Sequence, residues 1–183
     1  MNPNKTQLRQ AIRAAKRAVP FSEKATRSAA IMQRVGQLDA FRQADTVLLY
    51  WSMDDEVQTH DFVARWYQAK TLLLPCVDGE RLRLRQYTGP ECMCPGPQFG
   101  IAEPTGPEFT DLDRIGAIIV PGVAFDNAGH RMGRGRGFYD RLLKSVPHAC
   151  KIGVAFGFQM VESVPTEPHD VKMDMVITDI MDN

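Results

Sequence analysis

The chain has 183 residues, 44% hydrophobic and 24% charged, and its 22 basic and 22 acidic side chains cancel to a formal net charge of zero. A chain of this length supports one domain that buries ~70% of its unfolded surface. The charge balance excludes an overall field drawing the protein onto nucleic acid or membrane, so any anion site must be local. No stretch approaches the ~20 apolar residues of a membrane span, and the N-terminus lacks the apolar core of a secretory signal.

In chain order, residues 1–22 hold five basic side chains and no acid. Transit peptides share that composition, but here the helical pattern continues into a second helix without a break, which favours an ordinary first helix. Leu8, Ile12 and Ala15 form the apolar stripe of a helix over 4–18, ended by Val19-Pro20. Ser22 is placed to cap a second helix ending near Leu38, with Ala25, Ala29, Met32 and Val35 facing inward. Thr46–Trp51 reads as a strand buried on both faces, followed by a polar turn, Ser52–Gln58. Thr59 is placed to cap a helix through Phe62, Val63, Trp66 and Tyr67, and Thr71–Pro75 is the next buried strand.

This strand–helix–strand unit predicts an α/β fold. We expect one domain over 1–183, a three-layer αβα sandwich with a mostly parallel, open, Rossmann-like sheet, onto which N-terminal helices at about 4–38 pack. Leu82–Tyr87 alternates leucine with arginine, a strand with one wet face. Tyr87–Glu108 has five prolines and four glycines in 22 residues and reads as a long loop, either disordered or closing over a ligand. Ala117–Pro121, Lys151–Phe156 and Met175–Thr178 are later strands, with a helix to about Val146 after the first. Four cysteines, Cys76, Cys92, Cys94 and Cys150, form no disulfide framework, and Cys92-Met93-Cys94 has poor zinc spacing. Reduced thiols fit a cytoplasmic protein.

The densest chemistry lies between strand and helix at 129–140. Gly133-Arg134-Gly135-Arg136-Gly137 alternates residues that free the backbone to turn its N–H groups inward with guanidinium forks suited to phosphate. The following helix start adds a partial positive charge. This is not a Walker A loop, because no Gly-Lys-Ser/Thr follows. Nor does the Gly-x-Gly-x-Gly spacing match the dinucleotide fingerprint. Its place at the exit of a strand favours a ligand site over a solvated surface loop.

Other candidates each have a plainer reading. Asp140 either complements the helix dipole or holds Mg²⁺. Asp174 either holds the same ion or is an ordinary strand-edge acid. Glu56, beside Asp54 and Asp55, either meets substrate or is solvated. Lys5 and Arg9, one helical turn apart, either reach an anion or form a charged outer face. His60, His130, His148 and His169 are scattered, and nucleophilic catalysis has no support. The residues alone point to a place that holds a polyphosphate, and they leave open a phosphotransferase on a small carbonyl or carboxylate and a non-catalytic loop gripping RNA phosphates. Zero net charge and the lack of interleaved stacking aromatics weigh against the last.

The run Pro121-Gly-Val-Ala-Phe-Asp…Gly129-His-Arg-Met-Gly-Arg-Gly-Arg-Gly-Phe-Tyr-Asp140 resembles the 5-formyltetrahydrofolate cyclo-ligase (methenyltetrahydrofolate synthetase) family. So do Lys5-Thr-Gln-Leu-Arg9, Trp51-Ser-Met-Asp-Asp-Glu56-Val-Gln-Thr, Phe99-Gly-Ile-Ala-Glu-Pro104 and His169-Asp-Val-Lys-Met-Asp174, so that the likeness spans nearly the whole chain. The resemblance implies ATP- and Mg²⁺-dependent cyclisation of 5-formyltetrahydrofolate to 5,10-methenyltetrahydrofolate, with release of ADP and phosphate. It implies that Lys5, Arg9, Arg131, Met132, Gly133, Arg134, Gly135, Arg136, Gly137, Phe138 and Tyr139 hold ATP. It places Trp51, Glu56 and residues Arg134 to Phe138 on the folate, makes Arg134 and Arg136 catalytic, and makes Asp140 and Asp174 the Mg²⁺ ligands. Phe138 stands where the family often has tyrosine, and Trp51 where it often has an aliphatic residue. We expect a cytoplasmic monomer whose partner is a small folate, without nucleic-acid or membrane partners.

Overall fold

The structure, a computed structural model, describes residues 4–96 and 100–180. The helices are α1 (Lys5–Ala18), α2 (Phe21–Gln37), α3 (Asp39–Gln43), α4 (His60–Trp66) and α5 (Phe138–Ser145). The strands are β1 (Thr46–Leu48), β2 (Thr71–Asp78), β3 (Arg81–Gln86), β4 (Met93–Pro95), β5 (Ala102–Pro104), β6 (Ile115–Val120), β7 (Ala124–Phe125), β8 (Arg131–Met132), β9 (Cys150–Ala155) and β10 (Met175–Thr178). Six strands form one sheet in the order β10-β9-β6-β1-β2-β3. All pairs in it are parallel except β2–β3.

The apolar runs of β1, β2 and β6 alternate across this sheet because successive strand residues face opposite sides. Val47, Leu49, Leu72, Leu74, Ala117 and Ile119 pack with Ile31, Met32 and Val35 of α2, Phe41 of α3, and Phe62 and Val63 of α4. Leu48, Leu73, Ile118 and Val120 pack on the other face with Leu142, Leu143 and Val146 beside α5. Helices thus cover both faces, giving the expected three-layer α/β architecture. α2 lies on the sheet. α1 instead buries Leu8 and Ile12 against Ala124 of β7, Met132 of β8 and Val164.

Three local expectations need correction. Ser22 lies inside the first turn of α2, and Pro20 takes the N-cap position without a side-chain bond. Proline's fixed φ makes it a natural lead-in to a helix, so no hydroxyl is needed there. Thr59 occupies the N-cap position of α4 but makes no cap bond; its hydroxyl donates to the Tyr50 carbonyl at 2.6 Å instead. The long loop 87–108 carries the antiparallel pair β4–β5, with Met93 opposite Pro104. Phe99 lies outside the described residues. A cap also escaped the sequence reading: the Asn4 side chain accepts from the Gln7 N–H at 2.9 Å, and the Asn4 N–H donates to Gln7 Oε1 at 3.1 Å.

Hairpin β7–β8 carries the chain from β6 to the glycine-arginine run, and Asp126 shapes it. Its buried carboxylate accepts from the N–H groups of Ala128 (3.0 Å), His130 (2.9 Å) and Val164 (2.9 Å), and from the His130 ring at 3.0 Å. Burial pushes this carboxyl up, but the bonds from Val164 and His130 outweigh it and hold it below the usual carboxylate range. Asp126→Ala leaves these donors unpartnered, so we expect a loss of about 2–3 kcal/mol at neutral pH. A carboxyl with a depressed folded pKa stabilises fully above its unfolded value and loses that contribution as pH falls through the folded value. The gap in thermal midpoint between wild type and variant should therefore narrow below pH ~4, as melts at pH 7 and pH 3 would show.

Candidate active site

Along the sheet the chain winds from β1 toward β2 and β3, then returns to β6 and winds the opposite way through β9 to β10. Strand order therefore reverses between β1 and β6, and open parallel sheets bind ligands beyond the carboxyl ends at such a point. Two loops leave there. The turn after β1 carries Trp51 to Glu56, and the path after β6 leads through the hairpin to the glycine-arginine run.

The first loop is locked from below. The Thr59 hydroxyl accepts from the Ser52 N–H at 3.2 Å, and the Ser52 hydroxyl accepts from the Thr59 N–H at 3.0 Å. The Tyr50 hydroxyl donates to the Val57 carbonyl at 2.7 Å, and Met53 N–H donates to Glu56 Oε2 at 3.0 Å. These bonds hold Glu56 mostly buried, with 11% of its side chain exposed. Trp51 is half-buried and stacks on His60 at 3.9 Å and 19°, with Tyr87 at 5.9 Å and 23°.

The second loop meets the first through Arg134. Its Nη2 lies 2.8 Å from Asp55 Oδ1 and 3.1 Å from Glu56 Oε1. Lys16 of α1 approaches Asp55 Oδ2 at 3.3 Å, although only 6% of its side chain is exposed. Burial pushes the Asp55 carboxyl up, but Lys16 and Arg134 together pull it below the ordinary value. Burial likewise lowers the Lys16 ammonium, with Asp55 and Glu56 opposing. Tyr50 and Tyr139 are pushed up, first by burial and then by Glu56, so both keep their protons.

The other sequence candidates divide into three groups. Arg9 reaches the loop: its Nε donates to the Gly133 carbonyl at 3.2 Å, and a Cβ on Gly135 would sit 3.5 Å from its guanidinium. Gly135 and Gly137 take φ of +105° and +66°, where other residues are strained. Phe138 is half-buried, with Arg136 5.9 Å from its ring centre. A second group supports the loop from within. Arg131 is buried, donates to the Pro121 carbonyl and to Asp140 Oδ1 (both 3.1 Å), and lies 5.6 Å from the Tyr139 ring. Its Nε is one of the buried side-chain atoms without a partner among the described residues. Met132 turns its side chain into the α1 contact.

The third group bonds residues outside the two loops. Lys5 pairs with Glu167 at 2.7 Å and Asp170 at 3.6 Å. Asp174 accepts from the Lys151 N–H at 2.7 Å and lines a cavity of about 440 Å³ along β10, with Arg34, Asp126 and Gly129 among its walls. Asp140 and Asp174 thus take different partners on different elements. Asp55, Lys16 and His60 were not singled out as site residues in the sequence. Asp55 had a signal, its place beside Glu56; Lys16 and His60 had none, since only the fold brings them here.

The Trp51–His60 stack is pH-sensitive in a defined direction. Burial lowers the His60 pKa, with the Ser52 carbonyl, Asp61 and Asp54 opposing it, so the ring is neutral at pH 7. The stabilisation of the neutral stack is complete above pH ~6.5 and is lost as pH falls through the folded value. Tryptophan emission should step between pH 7 and 5 with a midpoint below 6.5. His60→Gln should remove the step; its persistence would show that His60 is not the titrating neighbour.

The model of the 5-formyltetrahydrofolate cyclo-ligase family matches residues 1–179. The 5-formyltetrahydrofolate cyclo-ligase of Haemophilus influenzae is 35% identical over 140 residues, covering 72% of this chain and 74% of that one. The Escherichia coli K12 protein of the same name is 32% identical over 163 residues, covering 80% and 88%. The solved structure of Aquifex aeolicus 5,10-methenyltetrahydrofolate synthetase superposes with a TM-score of 0.85 at 34% identity, over 96% of this chain and 89% of that one. A match over almost the full length, on a fold whose switch point gathers the glycine-arginine loop and Glu56, means that this chain belongs to the 5-formyltetrahydrofolate cyclo-ligase family.

Proposed function

We propose that this chain catalyses the ATP-dependent cyclisation of 5-formyltetrahydrofolate to 5,10-methenyltetrahydrofolate, releasing ADP and phosphate. One observation carries the reading beyond family membership. Arg134, on the loop built for phosphate, touches Glu56 on the facing loop at 3.1 Å, so a phosphoryl group and an organic acceptor can be held side by side.

The formyl oxygen of the substrate is a poor leaving group. Transfer of the γ-phosphoryl to that oxygen converts it to phosphate, which leaves when the neighbouring amine attacks the formyl carbon and closes the ring. The protein has to position the reactants and offset charge on the transferring group. Arg134 and Arg136 are the residues for that task, because planar guanidinium forks match phosphoryl oxygens. Arg9 holds the loop through the Gly133 carbonyl, and Arg131 fixes its base between Pro121 and Asp140. Tyr139 and the backbone from Met132 to Gly137 complete the nucleotide cradle, and Lys5 is the outermost basic residue that would join it. Glu56 would accept hydrogen bonds from the pterin N–H groups, and Trp51 and Phe138 would bound the ring system.

The donor chemistry also fits a divalent cation. Mg²⁺ takes one or two carboxylates together with phosphate oxygens, and Asp140 is a carboxylate at the end of a phosphate loop. Asp140, with Asp174 as the second acid, would hold the ion, which offsets phosphate charge when bound. Tyr50 and Tyr139 keep their protons, so neither is poised as a nucleophile, as expected when phosphoryl transfer activates the substrate.

The direct test is absorbance of methenyl-folate, which should form only with ATP and Mg²⁺ present. Release of ADP without dependence on formyl-folate would redirect the reading to another acceptor. Arg134→Ala should lower turnover by at least ~100-fold. Its side chain is 51% exposed, so the thermal midpoint should hardly move. Wild-type turnover in the folded variant would remove Arg134 from the reaction. Glu56→Gln should weaken folate binding more than nucleotide binding in calorimetric titrations; equal losses would count against Glu56 as the pterin anchor.

A further inference from the structure

Lys16, Asp55, Arg134 and Glu56 form one chain of alternating charges, with successive contacts of 3.3, 2.8 and 3.1 Å. The members differ in their freedom to move. The Lys16 side chain is 6% exposed, and a buried ammonium that drops its carboxylate is left uncompensated at high cost. Asp55 is therefore committed to Lys16. Glu56 is nearly buried, and its second oxygen is held by the Met53 N–H. Asp55 (43% exposed) is tied down by the buried Lys16, whereas Arg134 (51% exposed) sits on a loop interrupted by three glycines, and ion pairs at that exposure are weak. It is the member able to leave.

Arg134 also stands between two demands that the proposed function makes on it. Contact with Glu56 engages the carboxylate oxygen that a pterin would use. Contact with phosphate requires Arg134 to turn toward the glycine-rich loop. Nη2 gives both of its contacts to the acidic turn, to Asp55 and to Glu56, so swinging Arg134 toward phosphate breaks them.

We propose that Lys16 and Asp55 are positioning residues that park Arg134 on Glu56, and that a nucleotide's phosphates draw Arg134 off and release Glu56 to the folate, so that the two substrates bind cooperatively. This rests on the assignment of Glu56 to folate and Arg134 to phosphate made above. Lys16 fixes Asp55 Oδ2, which leaves Oδ1 aimed at Arg134. When Arg134 departs, Lys16 remains as the counter-charge, so Asp55 is not left as an unpaired anion. Lys24 braces this end of α1 by donating to the Lys16 carbonyl at 3.5 Å.

Calorimetric titration of 5-formyltetrahydrofolate, with and without a β,γ-imido analogue of ATP and Mg²⁺, tests this. In the wild type the analogue should lower the folate Kd at least about fivefold, and folate should lower the analogue Kd by the same factor, because coupling is reciprocal. The double variant Lys16→Met/Asp55→Asn removes both charges together and keeps the apolar stem of the lysine. Its coupling should fall below about twofold, with the folate Kd measured alone approaching that of the wild type with analogue. Lys16→Arg, which keeps the charge, should keep the coupling. A merely structural role would shift the thermal midpoint or both affinities and leave their ratio unchanged.

Absence of coupling in the wild type, or unchanged coupling in the folded double variant, would overturn the proposal. If the double variant does not fold, Lys16→Gln/Asp55→Asn, which replaces the ion pair by a neutral hydrogen-bonding pair, gives the same readout. Methenyl-folate formation without coupling would sink this inference and leave the proposed function standing; no methenyl-folate formation by the wild type would sink both.

Discussion

The position of β1 in the sheet is the constraint on which everything else rests. It pairs parallel with β2 on one side and β6 on the other, with Val47 level with Leu72 and Ala117. Parallel neighbours send their exits to the same edge of the sheet, so the loops after β1 and β6 emerge side by side with nothing between them. The chain folds outward from this pair in both directions, and the gap it leaves is where the proposed function would seat the substrates. The apolar runs that build β1 and β6 are thus also what places an acidic turn against a glycine-arginine loop.

The loop itself is held by a scaffold that lies mostly under it. Asp126 closes the hairpin turn, Arg131 ties the hairpin's end to Pro121 and to the start of α5, and α1 packs on the hairpin through Leu8 and Ile12. The residues between Met132 and Phe138 are left with few side chains to pack, and two of their glycines take conformations open to few other residues. Rigid ends and a permissive middle would let the backbone adapt to the phosphate of the proposed function while its anchor points stay fixed. Arg9 joins the two parts, since it belongs to α1 and bonds the loop carbonyl at Gly133.

Electrostatics explains how a chain with no net charge gathers several arginines at one loop. Arg9, Arg131, Arg134 and Arg136 are on or against one loop, and the acids that balance them are mostly elsewhere. The acids that do face the loop, Asp55, Glu56 and Asp140, each bond one of its arginines. Such pairing lowers the cost of gathering guanidinium groups, and the Arg134–Asp55 pair is exposed on both sides, so on the proposed function phosphate oxygens would compete for it.

Much of this was legible in the chain itself. The continuous apolar runs at 46–51, 71–75 and 117–121 announced strands buried on both faces, because only a sheet covered by helices on both sides removes every side chain of such a run from water. The glycine-arginine alternation suggested an anion loop, and the proposed function rests on that reading. What the tertiary structure alone decided was which distant groups meet. Lys16 reads as one more basic residue on an amphipathic helix, yet it is buried beneath Asp55; His60 reads as an isolated histidine, yet it is stacked on Trp51. Thr59 reads as a cap, yet its hydroxyl serves the neighbouring turn. Local pattern reports which face of an element is apolar, and it carries no record of the strand order. The order β10-β9-β6-β1-β2-β3 puts residues 55 and 134 in contact, and that order is set by the packing of the whole chain.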